Sequence, residues 1–570
     1  MTNTAGSAVR AAYDGLRKAM LDENGHMKVN ESDFLGRLTT VTECSGLYSA
    51  PAFTPTAYAT TTYGYATLDW LTRVTDTLGN TTAITYDALG RKTGMWDPDM
   101  GAWSYAFDDA GNLETQTDAQ GQVITFSYDF ANRLTGKQYA PTAGMTSVTY
   151  TYDQSSLGKG LRTRMDDGSG YTLWSYDARG RVVTETKAIS GTGGGSFKTQ
   201  WTYNPRDLLA TQVYPGGNGG QAGETVTTGC DKWGRPATLV GTSNYAVGTD
   251  YNALSQIDLL KLGNTAGSPT LQTDYVYLGA AGNFRLQWIK TGPSSPFEGL
   301  QKLEYAYDRV GNVSSIKDYK AGGTQTQTFT YDALDRVISA TVSGGTGGIY
   351  TETYAFNAIG NLTGKGGVAY TYGPTQPHAA TAAGSNSYAY DLNGNMITRT
   401  VGVYTYSPSY DAENRLTNVK QNGVVTASFG YDGDGNLVTA TLANTTTFYA
   451  GGHYEQTGST VRNYYYHAGK RVAMRESSTL YWLLTDQLGS TSQVQDHCPS
   501  AITGGVDPGA DPRSGDGRGS QLGIGQPDPV TLLCRHDKRR GLPAQPRLWF
   551  SCQSGYSTSA WCTEAPCARA

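Results

Sequence analysis

Short stretches of this chain alternate larger and smaller side chains with a period of two. In Thr81–Tyr86, Thr82, Ile84 and Tyr86 share one face while Ala83 and Thr85 take the other; Ile124, Phe126 and Tyr128 repeat the pattern against Thr125 and Ser127. Period two predicts β-strands. Each such strand ends at an aromatic–acid pair, where the Asp opens a reversal. Its carboxylate bonds a backbone amide two residues on, and the Gly or Asn three positions later tolerates φ > 0. A stretch such as Arg133-Leu134-Thr135 starts the return strand, and a second reversal, as in residues 76–80 or 118–121, closes the unit. Each unit is a predicted hairpin of two short strands, and no segment reads as a helix longer than a few turns.

The unit recurs. Tyr86-Asp87-Ala88-Leu89-Gly90-Arg91 returns at Tyr128, Tyr176, Tyr331 and Tyr410, each followed by Asp and, four residues after that Asp, by Arg. A sister form ends in Gly-Asn and starts at Phe107, Tyr307, Tyr390 and Tyr431. Worn copies begin at Tyr13, Asp33, Tyr203, Cys230 and Phe356. From Tyr86 through Phe107, Tyr128, Tyr152 and Tyr176 the interval is 21 to 24 residues, the range of stacked repeat proteins. A lone hairpin is marginal in water, so stacked hairpins are expected to extend one continuous sheet in which each unit leans on its neighbours.

Composition agrees with that picture. Charged residues make up 16%, against about a quarter in ordinary soluble domains; Gly stands at 72 and Tyr at 40, but Phe at only 13 and Met at 9. Such a chain has many turns and many aromatic β-formers, but few aliphatic side chains to fill a thick core. A net charge of −5 without a basic patch argues against nucleic acid as a partner. No run of about 18 apolar residues predicts a membrane span, and the start carries no leader of the secretory kind.

The Tyr-Asp-x-x-Gly-Arg and Tyr-Asp-x-x-Gly-Asn units across roughly residues 10–440 resemble those of the YD-repeat, or Rhs, family. Two punctuating segments are more specific. Pro377-His378-Ala379-Ala380-Thr381 resembles the family's Pro-His-Ala-Val-Thr, and Asp486-Gln487-Leu488-Gly489-Ser490-Thr491 is similar to its Asp-His-Leu-Gly-Ser-Thr signature. The resemblance implies an all-β fold: a long antiparallel sheet spiralling into a hollow shell, here incomplete if the chain is truncated at both ends. It also implies a polymorphic-toxin type of role, non-enzymatic encapsulation or display of a C-terminal toxin cargo, with secretion or cell-wall-associated display at the surface. The family's core normally closes with an Asp-Pro-x-Gly-Leu motif where self-cleavage frees the cargo. None follows Thr491, so the cargo is expected to be lost and an enzyme is not expected. The competing reading is a surface protein binding polysaccharide or a partner chain through aromatic rows that include Trp70, Trp103, Trp174, Trp201 and Trp233; cross-strand ladders account for the same residues. On this reading residues 1–80 are degenerate repeats, 81–440 the β shell, 441–494 the terminal core segment and 495–570 an aberrant tail. Open sheet edges on a truncated shell would invite association.

Searching for chemistry yields no catalytic, cofactor-binding or metal residue to assign, and no cofactor. Asp432-Gly433-Asp434-Gly435-Asn436 superficially matches a calcium loop, but Ala443 stands where the bidentate Glu belongs and the segment coincides with a repeat turn. The histidines 26, 378, 453, 467, 497 and 536 show no metal-ligand spacing, and no two of the seven cysteines are spaced C-x-x-C. Gly364-Lys365 lacks the rest of a phosphate loop, and the regular acids are explained by chain reversal. Tyr464-Tyr465-Tyr466 reads as closing strands.

From about Gln495 Tyr and Thr thin out, Pro, Arg, Ser and Cys rise, and no Tyr-Asp unit follows. The tail lacks the polar capping unit expected of a repeat array. A reading-frame shift near Val494 is the expected cause; a small disulfide-stapled domain is the alternative. Resequencing the gene across the codons for Val494 and the tail is expected to reveal that shift. An intact frame, with homologues sharing the tail's cysteines, would overturn the expectation.

Overall fold

The structure, a computed structural model, describes residues 8–140, 145–265, 267, 269–346 and 348–496. The tail beyond Asp496 lies outside the described residues, and with it the question of its origin, five cysteines and two histidines.

Except at Asn244–Ala246, every described strand that has a successor pairs antiparallel with it. A sheet of 21 strands runs from Arg10–Asp14 to Asn244–Ala246, and one of 24 runs from Gly248–Tyr251 to Thr491–Asp496. Backbone bonds from Val247 N to the Lys261 carbonyl (2.9 Å) and from Gly263 N to the Asn244 carbonyl (3.0 Å) carry the ladder across the junction. The result is one ribbon of successive hairpins, and neither sheet closes as a barrel. Among the described residues the only helical pieces are three 3₁₀ turns of three residues. The predicted all-β repeat fold is what the chain adopts.

The turn chemistry explains why. At Asp87, the carboxylate Oδ1 accepts the Leu89 amide (2.9 Å) and the Arg91 amide (3.0 Å), while Oδ2 takes Arg91 Nε (2.6 Å). The Asp87 amide donates to the Arg91 carbonyl, and Gly90 sits at φ +82. The same position is filled by Asn132, Asn414 and Asp335 at φ 58 to 59. At each of these Tyr-Asp ends the strand register shifts by one residue, as in a type I turn closed by a left-handed residue.

A second set of contacts joins each turn to the next repeat. The arginine that ends a turn lies over the aromatic ring of the following unit: Arg37 over Tyr65, Arg133 over Tyr152, Arg181 over Tyr203, Arg235 over Tyr251 and Arg415 over Tyr431, all at 4.3 to 5.1 Å. That tyrosine's hydroxyl then donates to the carbonyl just beyond the arginine, as from Tyr152 to Leu134 (2.9 Å) and from Tyr431 to Leu416 (2.9 Å). Among the described residues, fourteen tyrosines make this bond to the preceding repeat. The tyrosine excess therefore serves as a ring for the cation and a donor for the ladder end. Where Phe107 or Phe356 stands instead, the cation–π contact remains, from Arg91 and Arg336.

The ribbon coils until later repeats lie against earlier ones. Tyr58 meets Asn357 after 299 residues, Asp118 meets Asn393 after 275, Thr249 meets His467 after 218, and Gln301 meets Thr485 after 184. In strands, that is 25 per winding at Ala57–Tyr65 and 18 at Gln301–Tyr307. At ~4.8 Å per strand a winding measures ~120 Å around at first and ~86 Å at the last, so the coil narrows. Apolar side chains gather where windings overlap. Ile124, Tyr139, Val148, Tyr150 and Met165 bury Ala412; Ile189 and Phe197 pack on Val438, Phe448 and Tyr454. The largest cluster joins Tyr214, Tyr245, Leu260 and Ile289 to Tyr465, Val472 and Trp482, at the narrow end. Core is thus split into separate strips, some joining windings and others, such as Tyr406, Leu416 and Phe429, lying within one, as the scarcity of aliphatic residues requires.

The ring-and-hydroxyl arrangement makes a reciprocal prediction. Tyr431→Phe is expected to lower stability by about 1 kcal/mol, since it orphans the buried Leu416 carbonyl. Phe107→Tyr is expected to raise it by a similar amount, its new hydroxyl reaching the Lys92 carbonyl. Urea midpoints measure both; a Tyr431→Phe variant as stable as the parent would sink the account.

Candidate functional site: the seam between windings

The Tyr-Asp turns all fall on one rim of the ribbon. Along the second winding this rim docks on side chains of the first, and the contacts form a seam built of polar groups between apolar strips.

Asp432 shows how a turn becomes a seam residue. Its Oδ1 accepts the Asn436 amide at 2.8 Å like any turn aspartate, while Oδ2 receives Lys187 Nζ at 2.5 Å from the strand Val182–Ile189. Both side chains are at least nine-tenths buried. Burial works against the Lys187 charge, but Asp432 outweighs it and leaves the ammonium held above its ordinary range. In the same turn, Arg162 grips Asp434 through two nitrogens at 2.6 and 2.8 Å. The calcium-like acids are therefore spent on amides and cations, and the turn reading of residues 432–436 stands.

Glu413 receives Lys137 Nζ (2.9 Å) and the Tyr139 hydroxyl (2.5 Å) across the seam. Burial would raise its carboxyl; Lys137 and Arg415 overcome this and hold it low. Tyr58 donates to the Asn357 carbonyl (2.7 Å) and accepts from the buried Arg336 (3.0 Å). Near the narrow end Glu224 takes the hydroxyls of Tyr245 (2.6 Å) and Tyr465 (2.5 Å), whose rings stack at 3.7 Å. Tyr464, in the same strand, accepts the Tyr214 hydroxyl at its carbonyl (2.9 Å). The three consecutive tyrosines are closing strands, as read from sequence.

His378 of the Pro-His-Ala segment also lies on the seam. Its amide donates to Asp99 Oδ1 (2.9 Å), its Nδ1 meets Asp99 Oδ2 (2.5 Å), and Nε2 lies 3.6 Å from Asp76. The Asp99 hydrogen bond raises its pKa. His467 is the opposite case: 3% exposed, bonded through Nε2 to Thr249 (2.7 Å), it is pushed down to about 4 by burial.

Three further side chains approach one another in a way chain spacing does not reveal. One ligand atom each from Asp22, His26 and Asp335 lies within 4.8 Å of the others. The tryptophans divide. Trp174 donates to Glu185 (3.0 Å), Trp103 to the Met100 carbonyl (2.9 Å), and Trp70 packs on Tyr86; Trp201 is half-buried, and Trp233 is exposed beneath Lys232 and Arg235. Cys44 is a buried free thiol pushed up to about 11 by desolvation, unsuited to nucleophilic work. A cavity lined by Leu260, Tyr275, Gln301, Lys470 and Leu484 holds about 10 Å³, room for a water rather than a substrate. No helix among the described residues is long and apolar enough to cross a membrane, which says nothing of strands.

One signal for the seam lay in the sequence unread. Turns ending in Asn leave the Asp carboxylate less occupied than turns ending in Arg. In the second winding the three Asn-type aspartates each accept a side chain from the first: Asp308 from Asn24 (2.9 Å), Asp391 from Gln120 (2.9 Å) and Asp432 from Lys187.

Known proteins match this architecture. The family model for the Teneurin YD-shell matches residues 298–502 and that for the RHS repeat matches 107–141. The double-stranded DNA deaminase toxin A of Burkholderia cenocepacia is 26% identical over 332 residues, 58% of this chain and 20% of its own. The tRNA3(Ser)-specific nuclease WapA of Bacillus spizizenii is 26% identical over 193 residues, 31% of this chain and 8% of its own. Among solved structures, the Photorhabdus luminescens Tc holotoxin pore matches with a TM-score of 0.72 at 17% identity over 87% of this chain and 28% of that one. The TcdB2-TccC3 crystal structure matches with 0.71 at 18% identity, over 86% and 29%. With the repeats and the coil, these matches agree on the fold: the chain adopts a YD-repeat β shell similar to those of Rhs-type toxins. It spans less than a third of the length of each of these relatives.

Buried His467 and part-buried His378 give the seam a pH dependence of known sign. His467 has a folded pKa near 4 against 6.5 unfolded, so its contribution is complete above 6.5 and is lost as pH falls towards 4. The full shift is worth on the order of 3 kcal/mol. His378, raised, contributes below its unfolded value and loses that contribution as pH rises through the folded one. Between pH 6.5 and 4 the urea midpoint is expected to fall less steeply in His467→Gln than in the parent; identical slopes would contradict the assignment.

Proposed function

We propose that this chain is a non-enzymatic shell wall that encloses or displays a polypeptide cargo outside the cell or at its surface. The observation that carries the reading is the seam. A ribbon that docks on its own earlier winding through buried pairs such as Lys187–Asp432 makes a wall with an inside, which a flat sheet does not have. A winding ~120 Å around is ~38 Å across, and the side chains of two facing walls occupy only ~10 Å of that width.

The kinship with a deaminase toxin, a tRNA nuclease and the Tc toxin assemblies supports cargo of the toxin kind. In this reading the described residues supply confinement, and any chemistry belongs to the cargo. Seam carboxylates are committed to cations, amides and hydroxyls, which suits a structural part.

The test is protection. A reporter polypeptide fused after the full chain, exposed to a broad protease, is expected to persist in the parent. It is expected to be digested promptly when Lys187→Ala opens the seam by leaving Asp432 buried without its cation, a loss of about 3–5 kcal/mol. Equal digestion of free and fused reporter would overturn the proposal. So would spontaneous scission of the parent on incubation, read by intact mass.

A further inference from the structure

We propose that Asp22, His26 and Asp335 form a zinc site that fastens the first hairpins of the ribbon to a turn one winding later. Two of the residues come from one reversal. The Asp22 amide donates to the His26 carbonyl (2.9 Å), and Asp22 Oδ1 accepts the amides of Asn24 (2.9 Å) and His26 (2.8 Å). This leaves Asp22 Oδ2 facing His26 Nδ1 at 3.3 Å. The third comes from the turn of residues 332–336, where Asp335 Oδ1 stands 3.9 Å from the same nitrogen. A zinc ion at about 2.0–2.2 Å from one imidazole nitrogen and two carboxylate oxygens needs donors ~3.3–3.6 Å apart. The imidazole nitrogen stands 3.3 Å from one carboxylate oxygen and 3.9 Å from the other, and all three donors lie within 4.8 Å of one another, so an ion would draw them in slightly and leave a fourth position to water.

Two observations point to a ligand here rather than an ordinary contact. First, His26 Nδ1 is buried and makes no hydrogen bond, although carboxylates flank it on both sides. A ring nitrogen in that state has an unmet donor or lone pair, and coordination would meet it. Second, Asp335 is out of character for its position. Two other aspartates at positive φ in repeat turns, Asp69 and Asp207, are paired with arginines, Arg37 at 2.7 Å and Arg181 at 2.6 Å. Asp335 instead receives Asn312 (2.8 Å) and faces His26. Among the described residues no lysine or arginine pairs with Asp22, Asp308 or Asp335, and Asp308 stands beside them, bonded to Asn24 and Asn312.

An imidazole with two carboxylates and no thiolate suits zinc better than calcium, which takes six to eight oxygens. The linkage would also be a mechanical one: His26 and Asp335 are 309 positions apart in the chain, so the ion closes a loop the length of a full winding.

The full chain, stripped with a chelator, would be titrated with zinc chloride by calorimetry, with cobalt(II) as a spectroscopic probe of coordination. Binding near one ion per chain and a rise in melting temperature with zinc are expected. His26→Ala and Asp335→Asn are each expected to weaken binding by about tenfold or more and to remove the zinc-dependent rise. Asp335→Asn keeps the turn, because Asn132 and Asn414 occupy the equivalent left-handed position. His378→Ala, on a different part of the seam, is expected to bind zinc as the parent does. Absence of saturable binding, a preference for calcium, or zinc held equally by the parent and both ligand variants would overturn the proposal. The outcome is independent of cargo protection, so either proposal can fail alone.

Discussion

A two-stranded hairpin in water sits near balance, its ladder bonds set against the conformational entropy of the chain that forms it. In this protein the turn aspartate decides that balance. One carboxylate oxygen takes two amides of the reversal, and the other takes the side chain four residues on, so the turn is closed before the strands contribute. Hydrogen bonds from the Arg91 amide and guanidinium hold Asp87 below the usual carboxylate range, which marks the charged form as the bound one. The arginine so positioned covers the ring of the next unit, and where that ring is a tyrosine its hydroxyl seals a carbonyl of the first. No unit completes its own bonding without its neighbour, so order spreads along the ribbon one repeat at a time.

Because these contacts are local, they were legible. Period-two faces, the Asp turn and the residue at φ > 0 three positions later are all properties of six to ten consecutive residues, and the structure contains them where the sequence placed them. The seam was not legible in the same way. Its partners lie 184 to 299 residues apart, and which pairs meet depends on the twist and coil summed over some 18 to 25 strands. Lys187 reads as an ordinary strand lysine, and nothing near it announces Asp432. His26 has only the acids Asp22 and Glu23 just before it in sequence, and Asp335 joins them only because the coil has a particular circumference. The tryptophans were legible in part: Trp103 and Trp174 are tied into their own hairpins, whereas Trp233 lies exposed under two cations.

Uniform repeats raise a difficulty that the seam resolves. A ribbon of near-identical hairpins could coil with its second winding advanced or retarded by one unit at little cost, since the backbone ladders and ring contacts would survive the slip. Register must therefore be fixed by residues that differ between repeats. The two forms of the turn supply that difference. In the Arg form, Asp411 Oδ2 is occupied by Arg415 Nε at 2.7 Å, and Asp332 Oδ2 is held by Arg336 through both Nε and Nη2. In the Asn form the i+4 side chain is a neutral amide, which leaves Asp432 a full negative charge to offer.

Sliding the second winding by one hairpin would bring Lys187 towards Asp411, whose charge Arg415 already balances. The ammonium would then be buried beside a neutralised pair, and Asp432 would be buried with no cation at all. Both errors carry the penalty of an unpaired interior charge, far larger than the gain from any one cross-strand contact. The same reasoning applies at Asp391 with Gln120 and at Asp308 with Asn24, where slippage would strand amide donors against saturated carboxylates. The alternation of Gly-Arg and Gly-Asn endings thus does two jobs with one scaffold. Arginine endings extend the ribbon by reaching forward to the next ring. Asparagine endings leave acceptors for the winding beneath and so set how the coil closes.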